Sequence, residues 1–200
     1  MKPQIRSEYN GKGYVYAASA ADIARDTGFE KIARLASNEN PFEPAPEIQK
    51  AAALALSDIN RYPDPTSAKL RAAIRKHIYD APVVVSGCGM DGVLETVIRV
   101  LVWPGDTVAV AAPTCSVYGL AAKAASANIV NIPSREDFTI DIDLFIEKAR
   151  TAKLSFLCTP NNPTGTTVPA AEVKRILENI EGFLFLDCAY IEFADEDYYS

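Results

Sequence analysis

Leu154-Ser155-Phe156-Leu157-Cys158 runs into Thr159-Pro160-Asn161-Asn162-Pro163-Thr164-Gly165, and Phe183-Leu184-Phe185-Leu186 runs into Asp187-Cys188-Ala189-Tyr190. Both apolar runs are short and neither alternates with polar residues, which suits strands buried on both faces of a parallel sheet. Between them Pro169 to Ile180 reads as a helix, so the stretch is a strand, a crossover helix and a second strand. Working back from it, the same rhythm recurs. Strands are expected at Val83–Val85, Thr107–Ala111 and Asn128–Ile132. Helices are expected at Asp91–Val102, Ser116–Ser126 and Asp141–Arg150, the first with Val93, Leu94, Val97, Ile98 and Leu101 on one face. The fold class is therefore α/β, a three-layer, mainly parallel sheet with helices on both faces.

The region before it is less regular. A helix over Ala20–Thr27 is stopped by Gly28, and Ile32–Ala36 reads as a short strand. Pro46 suits the first turn of a helix reaching about Leu56, and Leu70, Ile74 and Ile78 mark another over Ser67–Tyr79. The organisation this suggests is an N-terminal arm and the start of a small domain over 1–45, then part of a large domain over 46–200.

The 200 residues carry 20 basic and 26 acidic side chains, a net charge of −6, with 48% hydrophobic residues. That composition belongs to a globular chain, not to a disordered or collagen-like one. An acidic chain without a basic cluster is a poor nucleic-acid binder. No apolar run approaches the ~20 residues of a membrane span, and Met1–Glu8 has no apolar stretch of the kind a secretory signal needs, so a cytoplasmic location is expected. Cys88, Cys115, Cys158 and Cys188 have no C-x-x-C spacing and read as free thiols. A thiol or metal cluster of Cys88, Cys115 and Cys188 is the alternative. His77 is the one histidine and reads as a solvated helix residue, and no metal site is expected.

In a parallel sheet ligands bind beyond the carboxyl ends of the strands. The polar strings fall there: Ser86-Gly87-Cys88-Gly89-Met90-Asp91-Gly92, Pro113-Thr114-Cys115-Ser116-Val117-Tyr118, Asn161 to Gly165, and Asp187 to Tyr190. Glycines leading into a helix can cradle an anion such as phosphate, or simply make a tight turn. The string is neither G-x-G-x-x-G with its later acidic residue nor G-K-[ST], so dinucleotides and nucleoside triphosphates are not favoured. Asn162 precedes a proline, so its backbone is restricted and its amide can be aimed. Asp187 follows four apolar residues, so its carboxylate needs a cationic or hydrogen-bonding partner, for which a protonated pyridine nitrogen would serve; a helix cap is the bland alternative.

Together the strings resemble the fold type I pyridoxal-phosphate aminotransferases, and within them the histidinol-phosphate aminotransferase group. Leu35-Ala36-Ser37-Asn38-Glu39-Asn40-Pro41-Phe42, Arg61-Tyr62-Pro63-Asp64-Pro65 and Asn161-Asn162-Pro163-Thr164-Gly165, in that order, carry the resemblance, which begins at Tyr14-Val15 and runs along nearly the whole chain. It implies the large-domain fold of that family, pyridoxal 5'-phosphate as cofactor, and exchange of an amino group between a histidinol phosphate-like donor and 2-oxoglutarate in histidine biosynthesis. Asp187 then pairs with the pyridine nitrogen. Asn162 and Tyr190 hydrogen-bond the ring's phenolic oxygen, and Met90, Asp91 and Gly92 hold the cofactor phosphate. Tyr62 reaches the phosphate of the neighbouring subunit's cofactor, Tyr14 and Asn38 lie near the substrate, and Asn162-Pro163 is a candidate cis peptide. A homodimer with a shared active site follows.

The chain departs from the family in places. Cys115 stands where an aromatic residue usually stacks on the ring, with Tyr118 the next aromatic, and Cys188 stands where glutamate is common. Met90-Asp91-Gly92 replaces a more polar loop. The lysine to which the family's cofactor is bound follows the Asp187-x-x-Tyr190 motif within a Ser-Lys pair, and no Ser-Lys occurs here. Lys153 and Lys174 sit away from the loop edge. The reading is thus an N-terminal portion, catalytically incomplete by itself. A threonine-phosphate decarboxylase-like enzyme or another class I/II aminotransferase, and a non-catalytic binding module, are the alternatives.

Overall fold

Four strands pair side by side, all parallel, in the order β2-β1-β3-β4: β1 (Thr107–Ala112), β2 (Asn128–Pro133), β3 (Leu154–Cys158) and β4 (Phe183–Asp187). The computed structural model describes residues 4–9 and 17–198, and contacts divide the chain into one unit of residues 1–14 and 79–200 and another of 15–78.

In the first unit the strands are joined by helices α5 (Ser116–Ala124), α6 (Ile142–Ala149) and α7 (Ala170–Asn179), and preceded by α4 (Gly89–Leu101). The strand pleat sorts side chains alternately to the two faces. Val108, Val110, Leu154, Phe156 and Cys158 pack with Leu94 and Ile98 of α4 and Tyr118 and Ala122 of α5. Ala109, Ala111 and Leu157 pack with Phe145 and Ala149 of α6 and Val173 and Ile176 of α7. This is the three-layer arrangement expected from the sequence.

The connection β1-α5-β2 runs one way along the sheet, and the chain then returns over β1 to β3 and on to β4. Helices on opposite faces are what right-handed crossovers require when the direction reverses. The reversal lies between β1 and β3, which makes the space beyond their carboxyl ends the switch-point crevice of the sheet.

Ser155, the second residue of β3, is fully buried and its hydroxyl has no hydrogen-bond partner. A buried hydroxyl without a partner costs about 1–3 kcal/mol. Ser155→Ala is therefore expected to stabilise the protein by about 1 kcal/mol, after allowance for the small void left behind. A higher urea midpoint at unchanged m-value would show it.

The second unit has α1 (Ala20–Thr27), α2 (Pro46–Ala55) and α3 (Ala68–His77). Ser19 accepts from the Asp22 amide at 3.1 Å, and Gly28 closes α1 in the left-handed conformation at φ 76°, its N–H reaching Ala24 O. Asp64 caps the start of α3, accepting from Thr66 N at 2.9 Å and Ala68 N at 2.8 Å. The Thr66 hydroxyl and these amides hold its carboxyl below the usual carboxylate range. His77 is exposed at the end of α3.

Two expected strands are absent. Ile32–Ala36 and Val83–Val85 carry no strand hydrogen bonding. Strand propensity needs a neighbour to pair with, and among the described residues neither segment has one. Val83 and Val85 remain exposed while Val84 turns inward.

Candidate active site

The expected site residues between Met90 and Tyr190 lie at the carboxyl edge of the sheet or at the start of a helix beside it. α4 begins at Gly89, two residues earlier than its periodicity suggests, with Cys88 as its N-cap. Gly89 takes a left-handed φ of 66° and its N–H returns to Gly87 O. The Gly92 amide is already committed to Cys88 O at 3.3 Å. The Met90 and Asp91 amides belong to the first turn, where no carbonyl of the helix can accept them. A Cβ on Gly87 would lie 2.9 Å from Val93 N, so only glycine lets the loop close on the helix start. Two outward amides at the positive end of a 13-residue helix suit a phosphate.

Cys115 follows β1 as the N-cap of α5 and packs, half-buried, against the core under α4 and α5. Asn162 follows β3, half-buried, and its peptide bond to Pro163 is cis, as expected. Ala112-Pro113 and Thr159-Pro160 are cis as well. Asp187 is the last residue of β4 and only 6% exposed, and Tyr190 is half-buried just beyond it. Asn38 and Tyr62 are exposed in loops of the second unit, Asn38 with a positive φ of 51°. Tyr14 lies outside the described residues.

Three features were not read from the sequence. Asn161 is buried and spans the switch-point crevice: its amide nitrogen donates to Pro113 O at 2.9 Å and to Thr164 Oγ1 at 2.8 Å, and its oxygen accepts from Thr114 Oγ1 at 2.7 Å. It stands three residues beyond β3, and no local feature of the sequence singles it out, since the groups it binds come mostly from the loop after β1. Tyr118 is the second. Its ring is fully buried and stacks on Phe156, with centroids 4.8 Å apart and planes 3° from parallel, while its hydroxyl donates to Asp187 Oδ2. The third is Tyr198, whose hydroxyl donates to Val168 O at 2.6 Å and also meets Thr159 Oγ1 at 2.8 Å.

Asp187 Oδ1 accepts from Ala189 N at 2.9 Å, and the main chain of Asp187 accepts from Thr159 N at 2.9 Å. Its side-chain partners are thus two neutral donors, and no basic side chain among the described residues pairs with it. A nearly buried carboxylate with neutral donors alone fits a cationic ligand atom such as a protonated pyridine nitrogen. Burial, and next the bond to Asp187, push the Tyr118 phenol far above its ordinary range, so it remains a donor. Burial first and the Asp187 charge second also push up the Cys158 thiol, and the same causes carry Cys188 to about 11. The thiols that feel Asp187 are therefore Cys158 and Cys188, while Cys88 is exposed. All four cysteines are free, and no group of His, Cys, Asp or Glu among the described residues is arranged to hold a metal. No described helix is long and apolar enough to cross a membrane.

The family model for aminotransferase class I and II matches residues 30–200. The chain belongs to the class I and II aminotransferases. It is 57% identical over 198 residues to a histidinol-phosphate aminotransferase of Methanocorpusculum labreanum, covering 99% of this chain and 56% of that protein. It is 52% identical over 199 residues to one of Methanoculleus marisnigri, with the same shares. A solved histidinol-phosphate aminotransferase of Sinorhizobium meliloti, in complex with pyridoxal-5'-phosphate, matches with a TM-score of 0.82 at 25% identity, over 97% of this chain and 53% of that one. This aminotransferase chain therefore spans about half the length of the relatives it matches.

Proposed function

We propose that the protein carrying this chain is a pyridoxal 5'-phosphate-dependent aminotransferase of histidine biosynthesis, moving an amino group between a histidinol phosphate-like donor and 2-oxoglutarate. The observation that carries the reading is Asp187: a nearly buried carboxylate at the ligand-binding edge of a parallel sheet, supplied with neutral donors only. The names of the Methanocorpusculum labreanum and Methanoculleus marisnigri relatives support the substrate class.

In this reading Asp187 holds the pyridine nitrogen protonated. Bound there, the cofactor supplies an electron sink for the carbanion left when the amino acid loses its α-proton. The Met90 and Asp91 amides bind its phosphate at the start of α4, and Gly92 keeps that turn open, since a Cβ there would lie 3.3 Å from Cys88 Cβ. Asn162 and Tyr190 hydrogen-bond the ring oxygen. Cys115 packs on the ring face where an aromatic residue is usual. Asn38 and Tyr14 approach the substrate, and Tyr62 serves the neighbouring subunit of a homodimer. The compartment is the cytoplasm.

The test is glutamate formation by the intact protein from histidinol phosphate and 2-oxoglutarate. Turnover that disappears on stripping pyridoxal phosphate and returns on adding it is the expected result. Carbon dioxide released from threonine phosphate, with no glutamate formed, would replace this reading by a decarboxylase, and no reaction with cofactor bound would reduce it to a binding module.

A further inference from the structure

The geometry points to Tyr118 as a positioning residue for Asp187: a phenol held by the hydrophobic core that fixes the carboxylate in the orientation and ionic form that pairs with the cofactor's ring nitrogen. This deepens the proposed function and rests on its assignment of Asp187.

Tyr118 lies 69 residues before Asp187 and on a different element, α5. Its ring has no freedom to turn away, being fully buried and parallel to Phe156, which is itself tilted against Phe185 at 5.2 Å. Phe156 belongs to β3 and Phe185 to β4, so the phenol is aimed by the two strands that end at the site. With Oδ1 occupied by the Ala189 amide and Oδ2 by the phenol, the carboxylate plane is fixed at both oxygens. A hydrogen bond donated to a carboxylate favours its charged form. A carboxylate kept charged leaves the shared proton on the ring nitrogen. The bond therefore bears on the proton that makes the ring an electron sink, although Tyr118 itself need touch neither cofactor nor substrate.

The experiment uses the intact protein loaded with pyridoxal phosphate labelled with 15N in the ring. In Tyr118→Phe the ring and its stacking remain and only the hydroxyl is lost. The expected result is a 15N resonance moved toward that of neutral pyridine, with cofactor bound about tenfold more weakly, as for loss of one hydrogen bond to a charged group. A structural role alone would lower the melting temperature and leave the resonance in place, and that outcome overturns the proposal. Asp187→Asn is the companion variant. If it too leaves the resonance unmoved, the assignment of Asp187 is at fault; if it moves the resonance and Tyr118→Phe does not, only the role of Tyr118 is. Should Tyr118→Phe fail to fold, 3-fluorotyrosine at position 118 decides. Its stronger donor should move the resonance toward the fully protonated ring, and an unmoved resonance overturns the proposal.

Discussion

Asp187→Asn in the intact protein is expected to lower cofactor-dependent transamination about 100- to 1000-fold, with little change in melting temperature. The asymmetry follows from the partners. Asparagine has nearly the same shape and its oxygen still accepts a hydrogen bond, so the contact with the Ala189 amide or the Tyr118 phenol is largely kept. What disappears is the charge. Breaking a buried charge pair by removing one member costs about 3–5 kcal/mol, roughly 150- to 5000-fold if the whole loss appears in the transition state, and the stated fall takes the lower part of that range because the hydrogen bonds to the side chain are largely kept. Steady-state rates at saturating pyridoxal phosphate are the measurement. A reduction of less than about fivefold, near 1 kcal/mol, would remove Asp187 from the electronic role.

Gly182→Ala should have the largest effect on stability, about 3 kcal/mol or more. A Cβ built at Gly182 would stand 2.0 Å from Ala152 O and 2.8 Å from Lys153 O. Both obstacles are main-chain carbonyls. Lys153 O also accepts from Phe183 N at 3.1 Å, while Glu181 N donates to Arg150 O at 2.8 Å, so the two segments are bonded on either side of the collision. Neither can yield as a flexible side chain would. Relief requires moving the start of β4, and β4 carries Asp187 at its far end. Urea unfolding should show a lower midpoint at similar m-value, and cofactor affinity should fall with it. A loss below about 1 kcal/mol would mean that the turn before β4 relaxes freely.

Much of this fold was legible because a two-sided parallel sheet writes itself as short apolar runs separated by helices. α1, β3 and the Gly28 stop agree with the sequence reading, and most other boundaries of the sheet unit differ by a residue or two. The failures share a cause. Val83–Val85 has a strand's composition, but pairing is settled by a distant partner that local composition does not encode. Tyr118 was read as the nearest aromatic to Cys115, a statement about neighbours in sequence. Its structural role depends on a carboxylate 69 residues away, brought close only when β1, β3 and β4 align. Asn162 and Asp187 could be singled out because a proline and an apolar run constrain them locally. Asn161 could not, because the groups it joins come from loops 47 and 48 residues apart in sequence.

Asn161 also bears on when the cost of order is met. Left separate, the segments after β1 and β3 would each lose conformational freedom on meeting a ligand, about 1–2 kcal/mol for every backbone residue fixed. The amide that bridges Pro113 and Thr114 to Thr164 charges that loss to folding instead. On the proposed function, cofactor arriving at this edge would meet walls already in place, leaving its binding energy for discrimination and chemistry.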